Sequence, residues 1–387
     1  MANLLETERL EGSSPSEPEA NKLFRMVMKF KGSDLHLKVG RAPAMRLTGV
    51  IREMQLPELT SADMERLMYP LLTARQRTIL DEEGGVDFAH IVYDPGGLQT
   101  RFRVNLFKQR GFLSLVARRV NATVPSFEGL GLPPVLGEIA TDDQGIIILA
   151  GVTGSGKSTT IASMLNYVNA RERCHIMTIE DPIEFTFVDD KCLINQREVG
   201  IDVINWEVAL KHAVRQDPDI ILVGEMRDRE TFSAALHAAE TGHLVFGTIH
   251  ASSAPSTISR ILDLFPQDMH HAMRQNLAFN LKAIIAQKLL PTNKDWSAKT
   301  GQTRIPTCEI MRMNPTVRKL ILNEEDIKLA QAIRMGKDEG MQDFTMSLCG
   351  LVQAEKVDRS VAFEVAPNPE ALKMVLKGIN LSEPGIL

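Results

Sequence analysis

Aromatic side chains are scarce in this 387-residue chain, at 5% of positions with three tyrosines and two tryptophans. Proteins that track single-stranded nucleic acid pair a basic groove with aromatic faces for base stacking, and no segment here combines the two. Basic charge is not in excess either. Lys and Arg number 44 against 49 Asp and Glu, a net charge of -5, which excludes a generally cationic surface that coats nucleic acid or membrane. No apolar run approaches the roughly 18 residues of a spanning helix. The opening MANLLETERLEGSSPSEPEA lacks the hydrophobic stretch of a signal peptide. No basic amphipathic helix or lipidation signal is present, so direct membrane insertion is not expected. Cysteine is rare: Cys174, Cys192, Cys308 and Cys349 form no CxxC pair, which excludes a paired-CxxC zinc site and fits a reduced compartment. Each reads as a small buried hydrophobe. What is present, 44% hydrophobic and 24% charged residues, is the ordinary globular balance, and the length suits about two to three domains.

Residues 1–20 carry five glutamates, one arginine and a Gly-Ser-Ser-Pro run, a composition that predicts a mobile acidic tail. Ordered sequence is expected from Asn21, where Leu23, Phe24, Val27, Met28 and Phe30 recur at helical spacing. Strand-like runs follow at 35–39, 88–93, 102–107 and 113–120, giving an α+β domain over 21–120. The Pro- and Gly-bearing VPSFEGLGLPP reads as a linker over 121–134. Beyond it the pattern becomes apolar strand, then helix, repeated. IIILA (146–150) precedes a helix with Ile161, Met164, Leu165 and Val168 on one face. HIMTIE (175–180) precedes a helix over 205–216, DIILVG (219–224) one over 229–241, and HLVFGTI (243–249) closes the series. Such alternation predicts an α/β fold whose parallel sheet is covered on both faces, spanning 135–300. Residues 301–387 read as mainly helical.

One motif decides the chemistry. Gly151, Val152, Thr153, Gly154, Ser155, Gly156, Lys157 and Ser158, followed by Thr159, fit GxxxxGK[ST] between a buried strand and a helix. Glycines there let backbone N–H groups cradle phosphate oxygens at the positive end of the helix. Lys157 reaches the β- and γ-phosphates, and the Ser158 hydroxyl suits Mg²⁺. The pattern predicts binding of a nucleoside triphosphate with Mg²⁺. In DIILVGEMRD, Gly224 stands where an aspartate usually ends a Walker B strand, and Glu225 follows. A carboxylate at that edge can orient or deprotonate an attacking water. TIEDPIEF places Glu180 and Asp181 at another strand end, where paired carboxylates suit Mg²⁺ through water. In GHLVFGTIHASSA, His243 and His250 are seven residues apart and so fall on opposite faces; His250, at the C-terminal end, is the candidate for sensing the γ-phosphate.

Together these motifs resemble the secretion-ATPase superfamily, and within it the type IV pilus retraction ATPases. In that family TIEDPIEF is the Asp box, VGEMRD the atypical Walker B and TGHLVFGTIHASSA the His box. The similarity extends through SDLHLKVGRAPAMRLTG (33–49), RFRVNLFKQRG (101–111) and QKLLP (287–291). The extension and type II secretion branch usually has a four-cysteine zinc insert and a longer N-terminal region; this chain has neither. The retraction motif AIRNLIRE corresponds best to residues 316–323, keeping Val317, Arg318, Leu320 and Ile321 in kind but losing the closing Arg-Glu. Principal motor and accessory paralogue therefore both stay open.

The resemblance implies a PAS-like N-terminal domain, a linker and a RecA-like ATPase core with nucleotide between the two domains. It also implies a homohexamer acting on an inner-membrane pilus platform protein, with a paralogous retraction ATPase as a further candidate partner. The location implied is cytoplasmic, peripheral at the inner membrane through the pilus machine. Of Arg101, Arg103, Arg110 and Arg118, it raises Arg103 and Arg118 as charges that reach the phosphates. Two other classes remain on the residues alone. A RecA-like nucleic-acid translocase would share the ATP core, and a non-hydrolysing regulator would not require Glu225.

Overall fold

A computed structural model of the chain describes residues 17–97, 99–120 and 123–379. The chain divides into two compact units, Met1–Ala122 and Thr123–Leu387.

The first unit is built on one amphipathic sheet. Helix α1 (Asn21–Lys29) is followed by β1 (Asp34–Lys38), β2 (Ala44–Leu47), β3 (Val50–Glu53), α2 (Ser61–Met68), α3 (Ala74–Glu83), β4 (Gly85–Tyr93), β5 (Gln99–Gln109) and β6 (Phe112–Arg119). The strands lie in the order β3-β2-β1-β6-β5-β4, every pairing antiparallel. Alternation along β5 explains the layering: Phe102, Val104 and Leu106 are fully buried while Arg103 points to solvent. The buried face packs with Phe24 and Val27 of α1, Met64 and Met68 of α2, and Leu80 of α3. Thr60 and Thr73 start α2 and α3 with capping boxes, satisfying N–H groups the helices cannot bond internally.

Ordered chain begins before Asn21. Ala20 is fully buried, Glu17 bonds Asn21 and pairs with Arg25, and Glu19 pairs with Arg66. Acidic composition concealed this because each glutamate has a basic or amide partner distant in sequence or one turn on. The mobile-tail expectation for residues 1–16 lies outside the described residues.

The second unit opens with α4 (Phe127–Leu130) and α5 (Val135–Ala140). Then come β7 (Gly145–Ala150), α6 (Lys157–Asn169), β8 (His175–Glu180), β9 (Leu193–Glu198), α7 (Trp206–Ala213), β10 (Ile220–Val223), α8 (Arg229–Glu240) and β11 (Leu244–Ile249). Helices α9 (Ala254–Leu262) and α10 (His270–Asn280), β12 (Leu281–Pro291), α11 (Lys294–Thr300) and β13 (Arg304–Arg312) follow. The last helices are α12 (Pro315–Leu322), α13 (Leu329–Met335), α14 (Phe344–Gln353), α15 (Arg359–Val365) and α16 (Pro369–Leu376). Seven strands form one sheet, β13-β12-β7-β11-β10-β8-β9, parallel except for the β12–β13 pair at the edge. Strand β7 shows why both faces are covered: Ile146, Ile148 and Ala150 join the core beneath α8 and α9, whereas Ile147 and Leu149 join that beneath α6.

Two sequence boundaries move. The stretch read as linker is packed: Phe127 and Leu132 are buried with Ile147 and Met164, and Phe127 stacks on Tyr167 at 5.1 Å. Its prolines and glycines break regular structure without preventing burial of the apolar residues between them. The boundary at 300 cuts a hairpin, since β13 pairs with β12 from Ala283↔Arg312 to Pro291↔Arg304. Pro306, Thr307 and Glu309 masked that strand, but an edge strand tolerates proline. Beyond it the chain is helical, with α14 and α16 burying Leu348, Cys349, Val352 and Leu372 around Leu290 and Ile305. No helix among the described residues is long and apolar enough to cross a membrane.

Candidate nucleotide site

The glycine-rich loop joins the end of β7 to the start of α6. Gly156, the residue before α6, has φ +89°, and a Cβ there would sit 2.8 Å from the Gln287 amide nitrogen. The left-handed φ favours glycine, and a Cβ would also have to displace the end of the Gln287 side chain. Val152, Thr153, Gly154 and Ser158 are exposed, Thr159 is half-buried, and Ser155 is buried. The half-buried Lys157 ammonium donates to the Gly151 carbonyl at 2.8 Å and the Val152 carbonyl at 3.2 Å. Burial lowers its pKa, opposed by the attraction of Glu225, which places the loop's cation and the strand-end carboxylate in one electrostatic neighbourhood.

Parallel pairing lines up the other strand ends. Gly224, just past β10, donates its N–H to Ile179 O of β8 at 2.8 Å. A Cβ on Gly224 would lie 3.2 Å from the Glu180 Cα and 3.4 Å from the Trp206 ring, so an aspartate here would need its neighbours to give by a few tenths of an ångström. Thr248 Oγ1 donates to Gly224 O at 2.6 Å, and Met226 N to Thr248 O at 3.0 Å, fixing the turn that carries Glu225.

Glu225 is held at both oxygens. Arg227 donates to Oε2 at 2.6 Å, and His250 Nε2 lies 3.0 Å from Oε1. The Arg227 hydrogen bond is the main cause of its lowered pKa, against the opposing effect of burial. Glu225, Met226, Arg227, Ile249, His250, Arg260 and Leu264 line a cavity of about 280 Å³. Glu180 has the opposite character. Only 8% exposed, it accepts from Thr178 Oγ1 at 2.7 Å and Gln196 Nε2 at 3.3 Å, and Glu184 N lies 3.4 Å from its other oxygen. Burial raises its pKa to about 7. Its neighbour Asp181 is exposed and within electrostatic reach of Arg227. Of the candidate oxygen donors for Mg²⁺, Asp181 and Ser158 are exposed and Glu180 is buried; Mg²⁺ keeps several of its waters and so needs few protein ligands. No cluster of three or more His, Cys, Asp or Glu side chains able to hold a metal occurs among the described residues.

The two histidines stand at opposite ends of β11 and have different partners. His243 Nδ1 lies 2.8 Å from Ala238 O, at the end of α8, while His250 meets Glu225. In the first unit, Arg103 and Arg118 are opposite each other on β5 and β6. Arg118, 75% exposed, pairs with Asp34 at 2.9 Å. Arg103 is exposed.

Sequence reasoning missed three groups here. Arg227 lies inside VGEMRD, and its two-residue offset from Glu225 was the available signal. Gln196 lies on β9, a strand the apolar pattern did not mark because its burial alternates weakly. Gln287 lies in the QKLLP segment, but nothing local shows that its side chain bonds Ser155 O across 132 positions.

A family model described as Type II/IV secretion system protein matches residues 9–353. The chain is 42% identical to the type IV pilus retraction ATPase PilT of Pseudomonas aeruginosa, over 91% of this chain and 99% of the relative. It is 35% identical to the type IV pilus ATPase PilU of the same organism, over 93% and 91%. Among solved structures, the pilus retraction motor PilT with bound ADP superposes with a TM-score of 0.81 at 40% identity, covering 91% of this chain and 98% of that one. With the match running through both units and through every strand end of the site, this chain belongs to the Type II/IV secretion system protein family, as an ATP-hydrolysing member of its pilus-retraction branch.

Proposed function

We propose that this ATPase is a homohexameric motor that powers type IV pilus retraction, drawing pilins out of the fibre through an inner-membrane platform protein. The observation that carries the reading is Glu225 at the C-terminal edge of β10, ionised and within electrostatic reach of Lys157. Lys157 and the N–H groups of the loop hold the β- and γ-phosphates. Glu225 orients the attacking water and takes its proton. His250 reports the γ-phosphate to Glu225 through their contact. Ser158, Asp181 and Glu180 would hold Mg²⁺, which would supply charge neutralisation at the transferring phosphoryl group. Arg103 supplies further positive charge from the first unit, and Arg118 does so on leaving Asp34. Hydrolysis would then change the angle between the two units, a hinge motion around a ligand. A paralogous retraction ATPase is a candidate partner, and the platform protein would bring the ring to the inner membrane from the cytoplasmic side.

Imaging labelled pili in cells lacking this gene tests the proposal. Long pili that extend without retracting identify a principal motor, and loss of retraction only under load identifies an accessory one. Retraction at the parental frequency and force in both conditions would contradict a retraction role.

A further inference from the structure

Beneath the phosphate-binding loop lies a side chain to which neither the motifs nor the proposed mechanism gives work. Gln287 of β12 is 2% exposed. Parallel pairing of β12 with β7 ends at Ala286↔Ala150, so Gln287 arrives beside Gly151, the first residue of the loop. A Cβ on Gly151 would lie 2.6 Å from the Gln287 carbonyl oxygen. The Gln287 amide bonds in opposite senses at its two ends, with the buried Cys308 thiol also donating to Oε1 at 3.8 Å. Nε2 donates to Ser155 O at 2.7 Å, and Oε1 accepts from Thr160 Oγ1 at 2.8 Å. Ser155 and Thr160 are both buried, at 2% and 1% exposure. The first lies in the loop and the second in the first turn of α6.

From this geometry we infer that Gln287 is a positioning residue for nucleotide phosphate, acting through the peptide between Ser155 and Gly156. A trans peptide is planar, so its carbonyl and the following N–H point in opposite directions. Drawing Ser155 O down onto β12 therefore turns the Gly156 N–H away from β12, toward the open side of the loop where phosphate oxygens are cradled. The Ser155 carbonyl, which can only accept, fixes the NH₂ end of the amide toward the loop, and the Thr160 hydroxyl, able to donate or accept, completes the arrangement by donating to Oε1. Of the two amide side chains, which supply a donor and an acceptor without charge, glutamine has the longer reach. The bond lies within the protein and touches no reacting atom, so it serves ground state and transition state alike and its loss weakens binding rather than turnover.

The inference rests on the reading of this loop as the ATP site, and the experiment separates the two. Steady-state ATP hydrolysis by the purified full-length chain is compared with Gln287→Met, Gln287→Glu, Thr160→Val and Thr160→Ser, well below each melting temperature. Gln287→Met and Gln287→Glu should each raise KM for ATP about tenfold, the cost of leaving a buried carbonyl without its donor, with kcat changed far less. Thr160→Val should raise KM in the same direction, and Thr160→Ser, which keeps the hydroxyl, should restore it. Titration of a fluorescent ADP should show the same loss of affinity as ATP. A lowered melting temperature with KM unchanged in Gln287→Met would reduce Gln287 to core packing and overturn the inference. If the Gln287 variants do not fold, the threonine pair decides: equal KM for Thr160→Val and Thr160→Ser overturns it. Absence of ATP hydrolysis in the unaltered chain would instead refute the site reading itself.

Discussion

Two glutamates at neighbouring strand ends are driven apart by their surroundings. Burial raises Glu180 to about 7, while Arg227 holds Glu225 below the usual carboxylate range. Pairs separated in this way assign acid and base roles, and Glu225 is the more fully ionised of the two at neutral pH. A third carboxylate has a structural task. Asp34 is 4% exposed; burial works to raise its pKa, but bonds from Ser33 and Arg118 together bring it below the ordinary 3.8. Because the folded value is the lower one, the stabilisation is complete above 3.8 and is lost as pH falls through the folded value. Asp34→Asn should therefore melt earlier at neutral pH and show a flatter acid limb, with the difference from the parent shrinking at the lowest pH. Thermal melts followed across the acid range check this. A constant difference at every pH would mean that Asp34 acts by packing alone.

At the scale of elements, the strand-to-loop junctions are set by caps and close approaches. Asp228 of VGEMRD accepts from Thr231 N as the N-cap of α8. Asp228→Ala should cost about 1 kcal/mol of stability, while Asp228→Asn, which keeps the cap, costs little. Parallel loss of kcat in both variants, measured well below melting, would place Asp228 in the chemistry instead. The parallel core was legible because β7, β8, β10 and β11 are short apolar runs between helices, and the P-loop because glycine spacing is itself the mechanism. The edges were not legible. Strands β3 and β9 expose much of their length, so neither carries a strong apolar signal. Strand β13 contains Pro306 and a buried Glu309 whose carboxylate accepts from Ala254 N at 2.7 Å, a partner far away in sequence. The same limit hid Gln287 and Gln196, whose roles exist only once β12 and β9 take their places in the sheet.

For the whole molecule, phosphoryl transfer at this site calls for positive charge at the γ-phosphate beyond Lys157. Arg118 is engaged by Asp34, which leaves Arg103 as the better candidate. An arginine supplied in this way is worth roughly 10³–10⁵ in rate. Delivery across a ring interface would couple hydrolysis to ring geometry. Mixing Lys157→Ala protomers with Arg103→Ala protomers should then restore part of the ATPase activity that each lacks alone, and no recovery in proven mixed rings would exclude delivery in trans. The measurement that bears most directly on the central claim is ATP turnover by the purified chain and its Glu225→Gln variant, with nucleotide affinity measured in parallel. Glu225→Gln keeps the shape and removes the charge that activates water, so kcat should fall by about 10²–10⁴ while ATP affinity stays near the parental value. Equal turnover in the two proteins would contradict the account.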